Sequence, residues 1–226
     1  MCARYTLSKI AKLLKDLPGL QLPIDFRPRY NIAPTQLILG ISNTQPPRVE
    51  FFRWGLVPSW AKDLSIGNRM INARAETLAE KPAFKAALRR RRCLIPADGF
   101  YEWRKEGDGH KTPMYIHLRT GEPFAFAGLY DQWHSPDGSV IPSATIVTTS
   151  PNALVEGIHD RMPAIIRKED YARWLSAEEN DPASFSEILR PYPAEEMEVH
   201  PVSPRVNRPV YDAPDCIEKT ETGLLF

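Results

Sequence analysis

Residues 100–149 contain a series of short strand-like segments, and this series limits the possible folds more than any other feature of the sequence. Glycine-containing turn sequences separate them, at Gly107-Asp108-Gly109, Thr120-Gly121 and Pro136-Asp137-Gly138. The strand-like runs cover residues 100–103, 114–118, 124–133 and 143–149. Residues 36–41 and 49–54 add a hairpin, and consecutive strands joined by short turns pair antiparallel. We therefore predict a largely antiparallel sheet that is curved or barrel-like.

Helical patterns are few and lie outside this series. Residues 10–17 carry apolar side chains at helical spacing after a candidate N-cap, Ser8, and residues 80–92 do so with Pro82 near the start. Shorter signals predict a helix beginning at Ser150, a strand over 164–167, and helices over 169–175 and 185–189. The predicted class is α+β, with peripheral helices.

One domain accounts for the whole chain. A length of 226 residues is at the upper end of a single domain, and we expect that domain to span residues 1–226. Proline is abundant, with 22 in the chain, and residues 191–226 are Pro-rich and weakly periodic. We expect this last segment to follow the surface. The run Arg89-Arg90-Arg91-Arg92 ends a predicted helix, where a solvated cap and a phosphate site are both consistent with the pattern.

Composition excludes several classes of protein. Three cysteines without CxxC spacing argue against a disulfide framework and against a thiolate zinc site, and the five histidines show no ligand spacing. No apolar run approaches the ~20 residues that span a bilayer, and no secretory signal is present. We expect a cytoplasmic protein with no metal and no membrane partner. Because the formal net charge is only +1, nucleic-acid binding would require a local basic cluster.

Cys2 is the first candidate for chemistry. Removal of Met1 would leave a cysteine with a free α-amine, which is a 1,2-aminothiol. Its amine can condense with an aldehyde to an imine, and its thiol can then close a thiazolidine ring. The alternative is that cysteine at position 2 is merely a small apolar residue.

Arginine and tryptophan alternate in several loop-like segments. Arginine binds phosphate, and an exposed aromatic ring stacks on a base, so the pattern suits single-stranded nucleic acid. The alternative is that the five tryptophans are core residues and the arginines pair with surface carboxylates.

Six sequence blocks, taken in order, resemble the SRAP (SOS-response-associated peptidase) family. They are Cys2-Ala3-Arg4-Tyr5, Tyr30-Asn31-Ile32-Ala33-Pro34, Arg53-Trp54-Gly55-Leu56-Val57-Pro58, Asn72-Ala73-Arg74-Ala75-Glu76-Thr77, Pro96-Ala97-Asp98-Gly99-Phe100-Tyr101-Glu102-Trp103 and His159-Asp160-Arg161-Met162-Pro163. Residues 202–207 resemble the family's C-terminal segment. The family usually has glycine where this chain has Ala3, which leaves the aminothiol intact.

The resemblance implies a covalent thiazolidine crosslink between Cys2 and abasic sites in single-stranded DNA, which shields the lesion in the DNA damage response. No cofactor is implied, and we expect a monomer that associates with the nucleoid on damaged DNA. Two alternatives stay open: a cysteine peptidase that includes autocatalytic removal of Met1, and a non-catalytic single-stranded DNA-binding module.

The family's functional residues map onto this sequence block by block. The resemblance implies that Cys2 is the nucleophile, that Asn72 orients it, and that Glu102 and His159 transfer protons. Thr148 is a further pocket candidate. The residues implied in DNA binding are Arg4, Pro34, Trp54, Trp60, Arg74, Trp103 and Arg161.

Overall fold

The structure, a computed structural model, describes residues 2–179 and 181–220. In chain order the strands are β1 (Tyr5–Leu7), β2 (Arg29–Ile32), β3 (Leu37–Ser42), β4 (Arg48–Trp54), β5 (Asn72–Arg74), β6 (Arg92–Ala97), β7 (Gly99–Lys105), β8 (Lys111–Leu118), β9 (Phe124–His134), β10 (Val140–Thr149), β11 (Met162–Pro163), β12 (Ile165–Ile166) and β13 (Met197–Pro201). The α-helices are α1 (Ile10–Leu13), α2 (Pro82–Arg90) and α3 (Tyr171–Leu175).

Five strands close into a barrel. Antiparallel pairing runs β4–β3–β6–β9–β10, and β10 then pairs with β4 in parallel, with Ser143 opposite Arg53 and Ala144 opposite Trp54. Gly55 continues β4 in the left-handed region (φ 125°), where a Cβ would lie 2.4 Å from the Gly67 carbonyl oxygen. The predicted α+β class with a barrel-like, largely antiparallel sheet is confirmed.

A second sheet, ordered β13–β8–β7–β1–β2, packs on the barrel. Tyr5 of β1 makes edge contacts with Trp54 of β4 and Phe126 of β9, at ring-centroid distances of 5.3 and 5.7 Å. All three side chains belong to one buried cluster that also contains Cys2. The chain's first residues therefore lie between the two sheets, held from both sides.

Helix α1 is shorter than the sequence predicts. It covers Ile10–Leu13 and continues as a 3-10 turn over Leu14–Asp16. Ser8 does not cap it; the buried carboxylate of Asp98 accepts hydrogen bonds from the backbone N–H groups of Ser8 and Lys9. The cap comes from a residue ninety positions away, between β6 and β7, which a local pattern does not reveal.

The predicted helix at Ser150 is wrong. Residues 153–158 form turns, in which the Asn152 side-chain oxygen accepts hydrogen bonds from the N–H groups of Leu154 and Val155. The capping residue is Asn152 and not Ser150, and the turn does not continue into a helix. The predicted helix over 185–189 is a 3-10 helix over Pro182–Phe185 followed by turns.

The arginine run divides between surface and core. Arg89 and Arg90 are exposed, whereas Arg92 is fully buried. Its guanidinium donates to five backbone carbonyls, those of Leu88, Arg89, Trp174, Ser176 and Glu179. Neither a solvated cap nor a phosphate site describes Arg92. It joins the C-terminal ends of α2 and α3.

The C-terminal segment is built into the second sheet. Strand β13 pairs with β8, and Val206 and Cys216 are buried against Tyr101 and Tyr115. Residues 221–226 lie outside the described part of the chain. Among the described residues, no helix is long and apolar enough to cross a membrane.

Candidate active site

Cys2 lies in the extended segment that leads into β1. The Tyr101 N–H of β7 donates to the Arg4 carbonyl at 2.9 Å, so the segment stays paired with β7 beyond the end of β1. The Cys2 side chain is fully buried, with Sγ 3.8 Å from the Arg4 carbonyl oxygen. Burial raises the pKa of the Cys2 thiol, and the Glu102 carboxylate acts in the same direction. The thiol is therefore held in its neutral form. Met1, whose removal the sequence predicts, lies outside the described residues.

Asn72 contacts Cys2 from β5, whereas the segment that contains Cys2 is paired with β7. It begins β5, which pairs in parallel with the end of β10, and its Nδ2 donates to the Cys2 carbonyl at 2.8 Å. Its Oδ1 is buried and has no hydrogen-bond partner among the described residues. A buried acceptor without a partner costs about 1–3 kcal/mol. An amine at Cys2 would supply the donor that this oxygen requires.

Glu102 provides a carboxyl group beside the cysteine. It lies on β7, where Tyr5 pairs with Phe100, and continuing this antiparallel register by two residues sets Glu102 opposite Ala3. Its side chain is buried, and desolvation raises its pKa to about 7, with the Asp160 carboxylate contributing in the same direction. Glu102 is thus close to half protonated near neutral pH, which suits a group that both gives and takes a proton.

His159 follows the turns at 153–158 and is fixed by its neighbour. The Arg161 N–H donates to His159 Nδ1 at 3.0 Å. Asp160 Oδ1 lies 2.8 Å from the same nitrogen, so a backbone N–H and a carboxylate both contact this edge of the ring and fix its orientation. Burial lowers the pKa of His159, so the neutral ring is favoured.

Thr148 is the point at which the elements of the site converge. On β10 it pairs with Arg74 of β5 on one side and Pro163 of β11 on the other. Its carbonyl accepts a hydrogen bond from Arg161 Nη2 at 2.6 Å. The remaining face of the Arg161 guanidinium is bidentate to Glu76, at 2.7 and 2.8 Å. β10 thereby connects the Asn72 strand to the His159–Arg161 loop.

The predicted DNA-binding residues differ in their exposure. Arg74 is exposed, Trp60 is 59% exposed and Pro34 is half-buried. The prediction that Trp54 offers a stacking surface is wrong. Trp54 is fully buried between the sheets and donates its indole N–H to the Ile71 carbonyl, because it is the residue at which β4 closes the barrel.

Arg4 and Trp103 are both connected to the C-terminal segment. Arg4 Nη1 donates to Asn31 Oδ1 and to the Val206 carbonyl, and its guanidinium lies 5.8 Å from the centre of the Trp103 ring. The Trp103 indole N–H donates to Asn207 Oδ1 at 2.7 Å. Trp103 stays half-buried. Arg4 has an internal structural role, which the sequence did not predict.

Two residues that sequence reasoning did not single out are central to this arrangement. Asn31 is fully buried and donates to the carbonyls of Val206, Arg208 and Tyr211, so it anchors the C-terminal segment. Glu76 pairs with Arg161. Both lie within the six matched blocks, which is the one signal that pointed to them.

The site consists of thiol, amide, carboxyl and imidazole side chains. Within residues 2–179 and 181–220 no cluster of three or more histidine, cysteine, aspartate or glutamate side chains could hold a metal ion.

The fold and this site define a class: single-domain barrel proteins with a cysteine at position 2 held between an amide and a buried carboxyl group. The family model described as SOS response associated peptidase (SRAP) matches residues 1–209. The chain belongs to this family.

Several relatives and solved structures are similar over nearly the whole chain. The chain is 47% identical to the abasic site processing protein YoqW of Bacillus subtilis over 222 residues, which cover 96% of this chain and 99% of YoqW. It is 30% identical to the abasic site processing protein HMCES of Rattus norvegicus, over 90% of this chain and 68% of HMCES. A crystal structure of a protein from Bacteroides thetaiotaomicron matches with a TM-score of 0.87 and 27% identity, covering 97% of this chain and 100% of that one.

Proposed function

We propose that this protein, after removal of Met1, captures abasic sites in single-stranded DNA as a covalent thiazolidine at Cys2. The observation that carries the proposal is the setting of Cys2. A residue that would bear both a free amine and a thiol is held by Asn72 and lies beside a buried carboxyl group whose pKa is about 7. The relatives named abasic site processing proteins support an aldehyde-bearing DNA lesion as the substrate.

The reaction needs one amine, one thiol and proton transfer. The Cys2 amine attacks C1′ of the ring-opened sugar, and loss of water from the adduct gives an imine. The thiol then adds across the C=N bond, with sulfur bonding to carbon and its proton passing to nitrogen. One water is released in total. Because the thiol is two bonds from the amine-bearing carbon, ring closure has a high effective molarity and outruns strand-breaking β-elimination.

Glu102 and His159 are the proposed proton-transfer groups. Protonated Glu102 supplies the proton that lets the hydroxyl leave as water, and the carboxylate so formed accepts one back. His159 exchanges a proton with an oxygen of the substrate, and the Arg161 N–H orients its ring through Nδ1. Asn72 positions Cys2 by donating from its Nδ2 to the Cys2 carbonyl. Its Oδ1 accepts a hydrogen bond from the Cys2 amine. These groups all come from one chain, which supports action as a monomer.

The DNA strand is proposed to bind through phosphate contacts and stacking. Arg74 and Arg161 flank the reacting nucleotide, while exposed Trp60, half-buried Trp103 and Pro34 offer surfaces for flanking bases. These contacts read phosphates and ring faces, so sequence preference should be weak. The protein would associate with the nucleoid only where damage exposes single strands.

The peptidase alternative requires a Cys2 thiolate. Burial and the Glu102 charge raise the pKa of this thiol, which disfavours the thiolate. The amine-first route uses a neutral thiol that adds only after the imine forms. The observed site therefore supports imine chemistry better than direct attack on a peptide carbonyl.

One experiment separates the three functions. The processed protein is incubated with a single-stranded oligonucleotide that contains one abasic site, and with a matched undamaged strand. A covalent band on a denaturing gel with the abasic strand alone is expected. Cys2→Ala should abolish the thiazolidine, and Cys2→Ser should leave a weak imine that borohydride traps. A reversible shift without a covalent band indicates a binding module, and cleavage of an added peptide without a DNA adduct indicates a peptidase.

A further inference from the structure

The Arg161 guanidinium is closed to an incoming phosphate. Its Nη1 and Nη2 atoms donate to the two carboxylate oxygens of Glu76 at 2.7 and 2.8 Å, and Nη2 also donates to the Thr148 carbonyl. Its Nε is buried and has no partner among the described residues. The Arg161 side chain is only 13% exposed. Therefore the edge occupied by Glu76 is the edge that a DNA phosphate could reach.

The location of Glu76 lets its side chain move away from Arg161. Its side chain is 51% exposed, and it lies on the short 3-10 turn Ala75–Thr77 that follows β5. Two residues before it is Arg74, which is exposed and whose charge acts on Glu76. The carboxylate thus lies between two arginines that the proposed function assigns to phosphate. A carboxylate and a phosphate compete for the same bidentate arginine geometry.

We propose that Glu76 is an internal counter-ion that occupies the phosphate site of Arg161 and is displaced when a DNA strand binds. This inference rests on the proposed function and adds a mechanism of selectivity to it. Every strand, damaged or undamaged, must displace Glu76. Only an abasic strand then gains a covalent bond, so the counter-ion lowers residence on undamaged DNA while capture of the lesion is kept.

A rival explanation is that Glu76 only pins the loop that carries His159. The two explanations differ in what Glu76→Gln does. If Glu76 only fixes the loop, Glu76→Gln should slow crosslinking at saturating DNA, because the Arg161 N–H would no longer hold His159. If Glu76 is a displaced counter-ion, Glu76→Gln should strengthen DNA binding and leave the crosslinking rate at saturation unchanged.

The test compares Glu76→Gln with Glu122→Gln. Glu122 is a matched control, since it forms an exposed ion pair with Lys12 at 3.0 Å, is 41% exposed and is absent from the site. Each substitution removes one negative charge, so long-range electrostatics change equally. Affinity for an undamaged single-stranded oligonucleotide is measured by fluorescence anisotropy at several salt concentrations. Crosslinking rates are measured with the abasic strand.

Glu76→Gln should bind the undamaged strand about three- to tenfold tighter than Glu122→Gln, the size expected when one competing ion pair is removed. Its slope of log K against log salt should be steeper by about 0.7, one single-strand phosphate. Adding Arg161→Ala to Glu76→Gln should remove both gains.

The counter-ion proposal is wrong if Glu76→Gln binds the undamaged strand no more tightly than Glu122→Gln, or if it crosslinks more slowly at saturation. The proposed function stands in that case, provided that the protein still crosslinks abasic DNA. If neither the parent nor the variants bind single strands, the proposed function fails and the counter-ion with it. Thermal unfolding of each variant verifies that the compared proteins are folded.

Discussion

At the scale of single residues, the site depends on groups whose protonation is set by burial. The Cys2 thiol is neutral because it is buried, Glu102 titrates near pH 7 because it is desolvated, and His159 is kept neutral by partial burial. A strand glutamate flanked by Tyr101 and Trp103 gives a sequence-level hint of desolvation. The orphaned Asn72 oxygen gives none, because it depends on where β5 meets the N-terminal segment.

Glu102→Gln should separate catalysis from stability. Loss of the titrating proton should slow crosslinking by about 10²–10⁴ and remove the fall in rate as pH rises through about 7, where the parent's carboxyl deprotonates. The rate is measured on the abasic strand from acidic to mildly alkaline pH. A variant with the parent's rate and profile would exclude Glu102 from the mechanism.

The same substitution should stabilise the protein above neutral pH. The Glu102 pKa is raised on folding, from an ordinary value of 4.5 to about 7. Between these values the unfolded chain has released the proton and the folded protein has not, so the parent's stability falls as pH rises. Glu102→Gln should not show this fall, and its advantage above pH 7 should be about 3 kcal/mol in urea unfolding. Parallel stability curves for parent and variant would contradict a buried, titrating carboxyl group.

At the scale of elements, the longer strands of the hairpin and of residues 100–149 were predictable, whereas most short strands were not; β12, predicted over residues 164–167, is an exception. Residues 36–41 and 49–54 were predicted as a hairpin and form β3 and β4 within one residue at each end, because two runs rich in apolar residues flank a proline-containing turn. β1 and β5, with three residues each, are too short to show a period. β6 is buried along its whole length, and its first residue, Arg92, belonged to a predicted helix. A fully buried arginine is unexpected from sequence, since its partners are carbonyls of distant elements.

Arg92 should be essential for the packing of α2 and α3. Arg92→Lys keeps the charge but cannot reach five carbonyls, so the buried ammonium is left poorly paired. We expect a loss of about 3 kcal/mol or more in the free energy of unfolding. Arg90→Lys, an exposed neighbour on α2, is the matched control and should change stability by less than ~0.5 kcal/mol. Equal effects of the two substitutions would show that Arg92 is not a structural arginine.

At the scale of the whole molecule, near-neutral charge makes DNA binding local. With a formal net charge of +1, no long-range field would draw DNA to the protein, so the proposed DNA binding would depend on the few arginines around the site. The sequence indicated this balance and the order of the matched blocks. It did not indicate that β13 and Asn31 hold the C-terminal segment beside Arg4, since those pairings join residues up to about two hundred positions apart.

Arg74 should account for about one phosphate contact. Arg74→Ala should weaken binding to single strands and reduce the slope of log K against log salt by about 0.7. Arg90→Ala removes the same charge from an exposed position on α2 and should leave the slope unchanged. Anisotropy titrations over a range of salt concentrations measure both. Identical slopes for Arg74→Ala and the parent would remove Arg74 from the DNA-binding surface.

The proposed capture of abasic sites requires a free amine and a thiol on Cys2. The most direct test is intact-mass spectrometry after incubation with an abasic single strand, comparing protein that begins at Cys2 with protein that keeps an uncleavable residue before it. The processed protein alone should give an adduct equal to protein plus DNA minus one water, and this adduct should resist borohydride. An adduct of equal yield on the extended protein, or none on the processed protein, would contradict the requirement for a free amine.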